Sequence, residues 1–290
     1  MAESDMREVT IHTEKDNFVP GDLVSGHVMI ATDKDFSCNR IILKVRGKEY
    51  THYQAGKVHI SETHEFLHKD ISICEGGEFY SGNTRFEFEF KLPENIPPVH
   101  IGFRGKIDYT IEAVIEIDRA LDPKSKIQLN VKSKLPQYIP EPVPEPLPIG
   151  KETDNLQVEI PTNILRPKRG FEIRYLVMER SRIKGLRIEI LRREDIICKG
   201  NKLDSKIGIT EKRIPLTSND YGRWIDETIH FDWLTMIPFA GKLIKTSLLL
   251  KVVLEVGLSI DPFVEFPLQT SGEKLRDDLR IDSTDMEFEW

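Results

Sequence analysis

The segment GKIDYTIEAVIEI, residues 105–117, decides the fold class. Apolar residues recur at every second position from Ile107 to Ile117, and polar or charged residues such as Lys106, Asp108 and Glu112 lie between them. This alternation is typical of a β-strand with one face in a hydrophobic core and the other in water. The segment therefore predicts a long, half-buried strand.

The sequence before this strand predicts further antiparallel strands. Phe86-Glu-Phe-Glu-Phe90 alternates in the same way, and Pro93 ends the run because proline cannot donate to a central ladder. Short β-rich runs are separated by the turn sequences Pro20-Gly21-Asp22, Asp33-Lys34-Asp35, Gly76-Gly77 and Ser81-Gly82-Asn83. Since no long helical pattern occurs before the C-terminal tail, this spacing favours sandwich sheets over alternating strands and helices.

The second half of the chain repeats the pattern of the first. Residues 86–90 and the strand that opens at Gly105 are matched by residues 229–233 and a strand that opens after Gly241. A chain of 290 residues is long enough for two domains. The sequence therefore predicts an all-β protein with two tandem immunoglobulin-like β-sandwich domains.

A proline-rich stretch marks the predicted domain boundary. Prolines at 136, 140, 142, 144, 146 and 148 favour extended polyproline II structure. We expect an N-terminal sandwich over residues 1–135, a Pro-rich linker over 136–154, a C-terminal sandwich over 155–270 and an acidic tail over 271–290. The alternative, a ligand for an SH3 or WW domain, is less favoured because the stretch has neither PxxP nor PPxY spacing.

Composition limits the classes of function. The formal net charge of −7 argues against nucleic-acid binding through overall basic charge. The acidic start lacks the apolar region of an export signal, and charged residues interrupt the most apolar stretch, residues 243–258, which argues against a membrane span. The 3 cysteines are widely spaced and form no CxxC pair. We therefore expect free thiols and a cytoplasmic protein.

One catalytic motif occurs in the sequence. His64-Glu65-Phe66-Leu67-His68 matches HExxH, in which a helix places two imidazoles on one face to bind Zn²⁺ and the glutamate activates water. The flanking residues have strand patterns, and residues four apart in a strand are about 13 Å apart, too far for one metal. A zinc-dependent hydrolase is therefore an alternative function, and a weak surface histidine site with His52 or His59 is another. We expect no cofactor otherwise.

Several motifs resemble the arrestin superfamily, whose members are two β-sandwiches in tandem with a concave side that holds peptides. These motifs are residues 19–26 (VPGDLVSG), 42–47 (ILKVRG), 86–93 (FEFEFKLP), 96–98 (IPP) and 105–109 (GKIDY). The resemblance spans most of the chain and implies a non-catalytic protein that works by binding.

Within the superfamily, residues 63–66, 170–177, 183–194 and 263–268 are most similar to the arrestin-like subunit of the endosomal retromer coat and its relatives in sorting complexes. This resemblance implies a cargo-sorting adaptor that is peripheral on intracellular membranes. In that family a loop of the second domain docks on an α-solenoid partner. The matching loop here, residues 214–224, departs from the family pattern at Pro215 and at 218–224. The implied partner contacts are Ile214, Leu216, Tyr221, Arg223 and Trp224.

Basic residues are concentrated in the second half. Residues 164–214 contain 15 Lys and Arg and 7 Asp and Glu, a net charge of +8 (15 minus 7). Arg187, Arg192 and Arg193 represent this predicted basic patch, which would contact an anionic membrane or an acidic protein surface. The alternative is a set of solvated strand faces. Nucleic acid is not an expected partner, because aromatic residues are not interleaved with the basic ones.

The C-terminal tail ends in Asp285-Met-Glu-Phe-Glu-Trp290, so Met286, Phe288 and Trp290 would share one face of an extended strand. By resemblance to arrestins, the tail would add to an edge strand of the first domain and occupy its peptide groove until displaced; the alternative is a frayed terminus.

The sequence as a whole predicts a non-catalytic, arrestin-like adaptor in membrane-protein sorting. Its expected partners are an α-solenoid coat-like subunit or the cytoplasmic tails of membrane proteins. Besides the zinc-dependent hydrolase, an arrestin-like regulator with no membrane role is an alternative.

Overall fold

The computed structural model describes residues 7–118, 122–133, 149–153, 155–165, 170–178, 183–230, 237–257 and 260–270. These residues form strands, turns and a single 3₁₀ turn at Ser218–Asp220, with no α-helix among them. No helix in these ranges has the length and apolarity that a bilayer crossing requires.

The described residues of the first half of the chain form twelve strands. They are β1 (Arg7–Thr13), β2 (Asn17–Phe18), β3 (Leu23–Thr32), β4 (Phe36–Cys38), β5 (Arg40–Ala55), β6 (Val58–Cys74), β7 (Gly77–Phe79), β8 (Gly82–Lys91), β9 (His100–Ile101), β10 (Gly105–Glu116), β11 (Lys124–Gln128) and β12 (Asn130–Val131). The two main sheets have the orders β1-β3-β8 and β11-β10-β5-β6, with β9 paired to β10. Short pairs β4-β7 and β2-β12 complete this half.

The core of the first unit lies between these two sheets. Alternate residues of β3, β5 and β10 are buried, and Tyr109 at the centre of β10 is fully enclosed. The predicted strand at 105–117 is confirmed, since its apolar register faces the core. Burying each large aliphatic or aromatic side chain in this way stabilises the fold by about 1.5–3 kcal/mol.

In the second half, the part of the chain that the structure describes forms nine strands. They are β13 (Ile149–Thr153), β14 (Leu156–Ile160), β15 (Ile164–Leu165), β16 (Phe171–Val177), β17 (Ile183–Cys198), β18 (Asn201–Pro215), β19 (Trp224–Ile229), β20 (Ile244–Val256) and β21 (Phe263–Thr270). Their sheets have the orders β13-β14-β16-β19 and β15-β21-β20-β17-β18, and a second hydrophobic cluster joins residues of both sheets.

The sheet orders repeat between the two halves. The order β11-β10-β5-β6 in the first half corresponds to β21-β20-β17-β18 in the second, and both run from a short strand through two long ones to a long hairpin partner. The predicted internal repeat is therefore present as topology. The fold class, all-β with two arrestin-like sandwiches, is confirmed.

The compact units do not follow the chain order throughout. The first unit is Met1–Lys134 together with Ile196–Leu203 and Phe239–Ile244, and the second is Leu135–Asp195, Asp204–Pro238 and Lys245–Trp290. The turn between β17 and β18 thus belongs to the first unit. Within the predicted linker 136–154, residues 149–153 form β13 because they pair with β14; residues 136–148 and 154 lie outside the described ranges.

Candidate interaction surface

The HExxH match lies on a strand. His64, Glu65 and His68 belong to β6, which is paired along its length with β5. The carboxylate of Glu65 contacts Nδ1 of His68 at 2.5 Å and Nζ of Lys48 at 3.1 Å. The His68 hydrogen bond is the main cause of a lowered pKa of Glu65, Lys48 adds to it and burial opposes it. The helix that a zinc hydrolase of this class needs is replaced here by a strand.

The second histidine candidate is also a surface feature of this hairpin. His52 and His59 stack with ring centroids 5.4 Å apart. Across the described ranges, no group of three His, Cys, Asp or Glu side chains lies close enough to hold a metal ion.

The predicted basic patch lies on β17, and carboxylates offset much of its charge. Arg187 pairs with Glu189 and, at 3.0 Å, with Glu255 of β20. Arg193 contacts Asp195 at 2.9 Å, and Arg192 is half-buried. The net charge of +8 counted along residues 164–214 therefore does not produce a continuous positive surface around these three arginines.

The predicted docking loop, residues 214–224, packs partly on its own domain. Ile214, Leu216 and Tyr221 are half-buried against the second hydrophobic core. Arg223 is exposed and bonds Asp220 at 3.0 Å. The residues that sequence resemblance offered as apolar partner contacts thus contribute to the fold of the second unit.

Trp224 is the remaining candidate of this loop. It pairs with Leu176 in the ladder between β16 and β19, and the guanidinium of Arg174 lies 4.8 Å from its ring centroid. Its ring is half-buried. The tail candidates Met286, Phe288 and Trp290 lie outside the described residues.

A polar groove crosses the outer face of the sheet β11-β10-β5-β6 in the first unit. Its volume is about 700 Å³. Its lining residues are Lys44, Arg46, Lys48, Lys106, Asp108, Thr110, Glu112, Lys126, Ile127 and Gln128. The three β5 cations point outward because the intervening residues 43, 45 and 47 are buried in the core.

Three of the five cations in the groove have carboxylate partners. Arg46 pairs with Asp70 at 2.6 Å and Lys106 with Asp108 at 2.6 Å. Lys48 pairs with Glu65, as described above. These ion pairs fix the side chains that form the walls of the groove and lower its net charge.

Lys44 and Lys126, the other two cations of the groove, have no such ion pair among the described residues. They lie directly opposite Glu112 on its two neighbouring strands, and Lys44 also lies opposite Asp70 of β6, whose carboxylate pairs with Arg46. Neither ammonium group makes a hydrogen bond or an ion pair within the described part of the chain. Thr110 and Gln128, which add neutral hydrogen-bonding groups, face each other in the next ladder position. The groove is therefore suited to an anionic ligand that lies along the sheet.

Sequence reasoning did not single out these lysines. The signal was present, because Lys44, Arg46 and Lys48 recur at every second position of a predicted strand and must share its outer face. The contribution of Lys126 was not readable, since its position beside Glu112 depends on the pairing of β10 with β11.

The first half of the chain matches a known family. Residues 7–136 match the family model described as Arrestin (or S-antigen), N-terminal domain. No curated protein matches the chain. The groove lies wholly within the matched residues.

Proposed function

We propose that this chain, whose first half carries an arrestin N-terminal domain, is a non-catalytic adaptor that binds an acidic, extended segment of a partner protein. The observation that carries the proposal is the groove on the outer sheet face, where the Lys44 and Lys126 side chains flank Glu112 and make no ion pair within the described residues. An acidic side chain placed there would form charge-assisted hydrogen bonds with both ammonium groups.

The other residues that line the groove favour an extended protein segment, and not a small ion, as its ligand. The groove of about 700 Å³ is larger than a single carboxylate requires, and its polar side chains follow three neighbouring strands. The side chains of Thr110 and Gln128 can bond main-chain groups of such a segment. A peptide with acidic residues separated by other side chains matches this distribution.

The finer setting is membrane-protein sorting on the cytoplasmic face of intracellular membranes. The motif resemblance to the arrestin-like retromer subunit supports this setting, with cytoplasmic tails of membrane proteins as the acidic segments. An α-solenoid subunit is the proposed second partner, and Arg223 and Trp224 are its proposed contacts. These assignments rest on sequence motifs and on the exposure of Arg223.

Peptide binding tests the groove directly. A fluorescently labelled peptide rich in Asp and Glu is titrated with the full chain, beside the same peptide with Asn and Gln. The double variant Lys44→Glu with Lys126→Glu should weaken binding of the acidic peptide at least about tenfold, and added salt should weaken it further.

The matched control is Lys91→Glu, an exposed lysine on β8 of the other sheet, which should bind as the unchanged chain does. Equal binding of the acidic and amide peptides would contradict the proposal. Unchanged affinity in the double variant would also contradict it.

A further inference from the structure

Three neighbouring turns lie at one end of the large sheet of the first unit, and two of them expose large apolar side chains. They are the β5–β6 turn, the β9–β10 turn and the β17–β18 turn. Val58 is 61% exposed, Ile101 74% and Phe103 65%. Large apolar side chains exposed together on tight turns are unusual in a surface that meets only water.

Hydrogen bonds join the three turns to one another through the β5–β6 hairpin. The backbone N–H of His52 donates to the carbonyl of Arg104 at 2.9 Å. The hydroxyl of Thr51 donates to the carbonyl of Ile197 at 2.9 Å, and the side-chain amide of Asn201 donates to the Tyr53 hydroxyl at 2.8 Å. The turns therefore form one surface within this unit.

A backbone hydrogen bond fixes the turn that carries the exposed Phe103 ring. The N–H of Gly102 donates to the carbonyl of Gly105 at 2.8 Å and closes the turn around Phe103. The Arg104 guanidinium lies 5.7 Å from the centroid of that ring. A preformed turn presents Phe103 without an ordering cost when the ring enters an apolar phase.

The charges of the three turns have one sign. Residues 53–60, 100–105 and 197–203 contain no Asp or Glu, whereas the whole chain has a net charge of −7. The same residues contain Lys57, Arg104, Lys199 and Lys202. The three lysines are exposed, and Arg104 is half-buried beside Phe103. Glu62, just outside these ranges, accepts a hydrogen bond from the backbone N–H of Lys199 at 2.5 Å, so four cations and this one carboxylate accompany the apolar tips.

We propose that these three turns form a membrane-docking surface that binds an anionic phospholipid bilayer. Phe103, Ile101 and Val58 enter the boundary between headgroups and acyl chains, and Lys57, Lys199 and Lys202 contact the anionic headgroups. This combination of apolar insertion and basic contacts is how peripheral proteins hold anionic membranes. The proposal goes beyond the adaptor function and does not depend on the ligand of the groove.

Vesicle flotation with the full chain tests this surface. Vesicles that contain phosphatidylserine should bind the protein, and pure phosphatidylcholine vesicles should bind it much less. The double variant Ile101→Ser with Phe103→Ser should lower binding at least about tenfold. Lys57→Glu and Lys199→Glu should each lower it roughly fivefold or more.

Both kinds of variant change exposed side chains, so the fold should persist, and a thermal unfolding curve checks this. The matched controls are Ile260→Ser, an apolar side chain that is 93% exposed in the second unit, and Lys91→Glu on β8. Neither should change vesicle binding.

Absence of binding to phosphatidylserine vesicles would overturn the proposal, and so would equal binding by the turn variants. If the turn variants instead weaken binding of the acidic peptide, the surface serves a protein partner and the lipid assignment is wrong. If only Lys44→Glu with Lys126→Glu weakens peptide binding while vesicle binding persists, both proposals stand separately.

Discussion

The side-chain carboxylate of Glu49 accepts a hydrogen bond from the backbone N–H of Leu243 at 2.5 Å, although 194 residues separate them. Its other oxygen accepts from the backbone N–H of Lys242 at 3.0 Å. Glu49 is 1% exposed and lies in the core-facing register of β5. A buried carboxylate with two backbone donors is a structural element of the first unit, and it fixes the segment Phe239–Ile244 within that unit.

Replacing Glu49 should therefore destabilise the protein. Glu49→Gln keeps the shape but turns one acceptor into an amide donor, which leaves a buried N–H without a partner. The free energy of unfolding should fall by about 1–3 kcal/mol, measured by denaturant unfolding. The matched control is Glu87→Gln on β8, whose exposed ion pair with Arg85 should contribute less than about 1 kcal/mol. Equal effects of the two substitutions would show that Glu49 does not hold this segment.

Gly241 provides a second test of the same contact. A Cβ atom at this position would overlap the Glu49 carboxylate, so Gly241→Ala must displace the side chain or the backbone segment. We expect a loss of stability of about 1–3 kcal/mol. Gly208→Ala in β18 is the control, because the nearest atom to its added Cβ is 4.0 Å away. The unfolding midpoints of the two variants, compared with that of the unchanged chain, decide the prediction, and coincident midpoints would refute it.

Glu49 also illustrates what the sequence could and could not predict about the fold. Alternation predicted strands β8 and β10 and their buried registers, because a sandwich strand keeps one face toward its core. The same alternation places Glu49 on the core face of β5, which is a readable anomaly. Its partners were not readable, since the pairing of Glu49 with residues 242–243 depends on tertiary structure.

The buried Tyr109 makes the free energy of unfolding depend on pH in the alkaline range. Burial raises the pKa of Tyr109, and the charge of Glu49 raises it further. Because the folded pKa lies above the unfolded value of about 10, the contribution is complete below that pH and is lost as pH rises above it. The free energy of unfolding should therefore decrease above about pH 10, and Tyr109→Phe should make this decrease shallower.

Spectrophotometric titration of the phenolate gives an independent readout. Burial is also the main cause of a raised pKa of Tyr175, with Glu227 and Asp220 raising it and Arg223 opposing them. Both phenols should therefore ionise at a higher pH than an exposed tyrosine does. If the free energy of unfolding has the same slope against pH in the unchanged chain and in Tyr109→Phe, Tyr109 does not cause the alkaline loss of stability.

The candidate site was less predictable than the fold. Counting charges along residues 164–214 indicated a basic patch, yet Glu255, 68 positions beyond Arg187, pairs with that arginine through the packing of β20 beside β17. Conversely, Lys44 and Lys126 are distant in sequence and become neighbours only through β10. Local charge density therefore predicted a surface poorly wherever cross-strand pairs decide which charges remain unbalanced.

Some residues of the docking loop, 214–224, should matter for folding, and others should matter only for contact with a partner. Ile214→Asp with Leu216→Asp places charges against the second core, so the free energy of unfolding should fall by about 2–4 kcal/mol. Arg223→Ala removes an exposed side chain and should change stability by less than about 1 kcal/mol. Denaturant unfolding of both variants checks this, and a stable double aspartate variant would mean that Ile214 and Leu216 are available to a partner. Docking experiments should therefore use Arg223→Ala first.

The acidic tail, residues 271–290, provides a test of autoinhibition at the groove. It contains 7 Asp and Glu and 3 Lys and Arg, which makes it an acidic segment of the class that the groove is proposed to bind. If the tail occupies the groove nine-tenths of the time, its deletion should raise the apparent affinity for the labelled acidic peptide about tenfold. Deletion in the chain that carries Lys44→Glu with Lys126→Glu should have no such effect.

Two sets of tail substitutions distinguish charge from apolar contact as the cause of autoinhibition. The triple variant Asp285→Asn with Glu287→Gln and Glu289→Gln tests the charge. The triple variant Met286→Ser with Phe288→Ser and Trp290→Ser tests the apolar face. Peptide affinity that is the same with and without the tail would exclude autoinhibition while leaving the groove itself unaffected, because the groove is judged by the lysine variants.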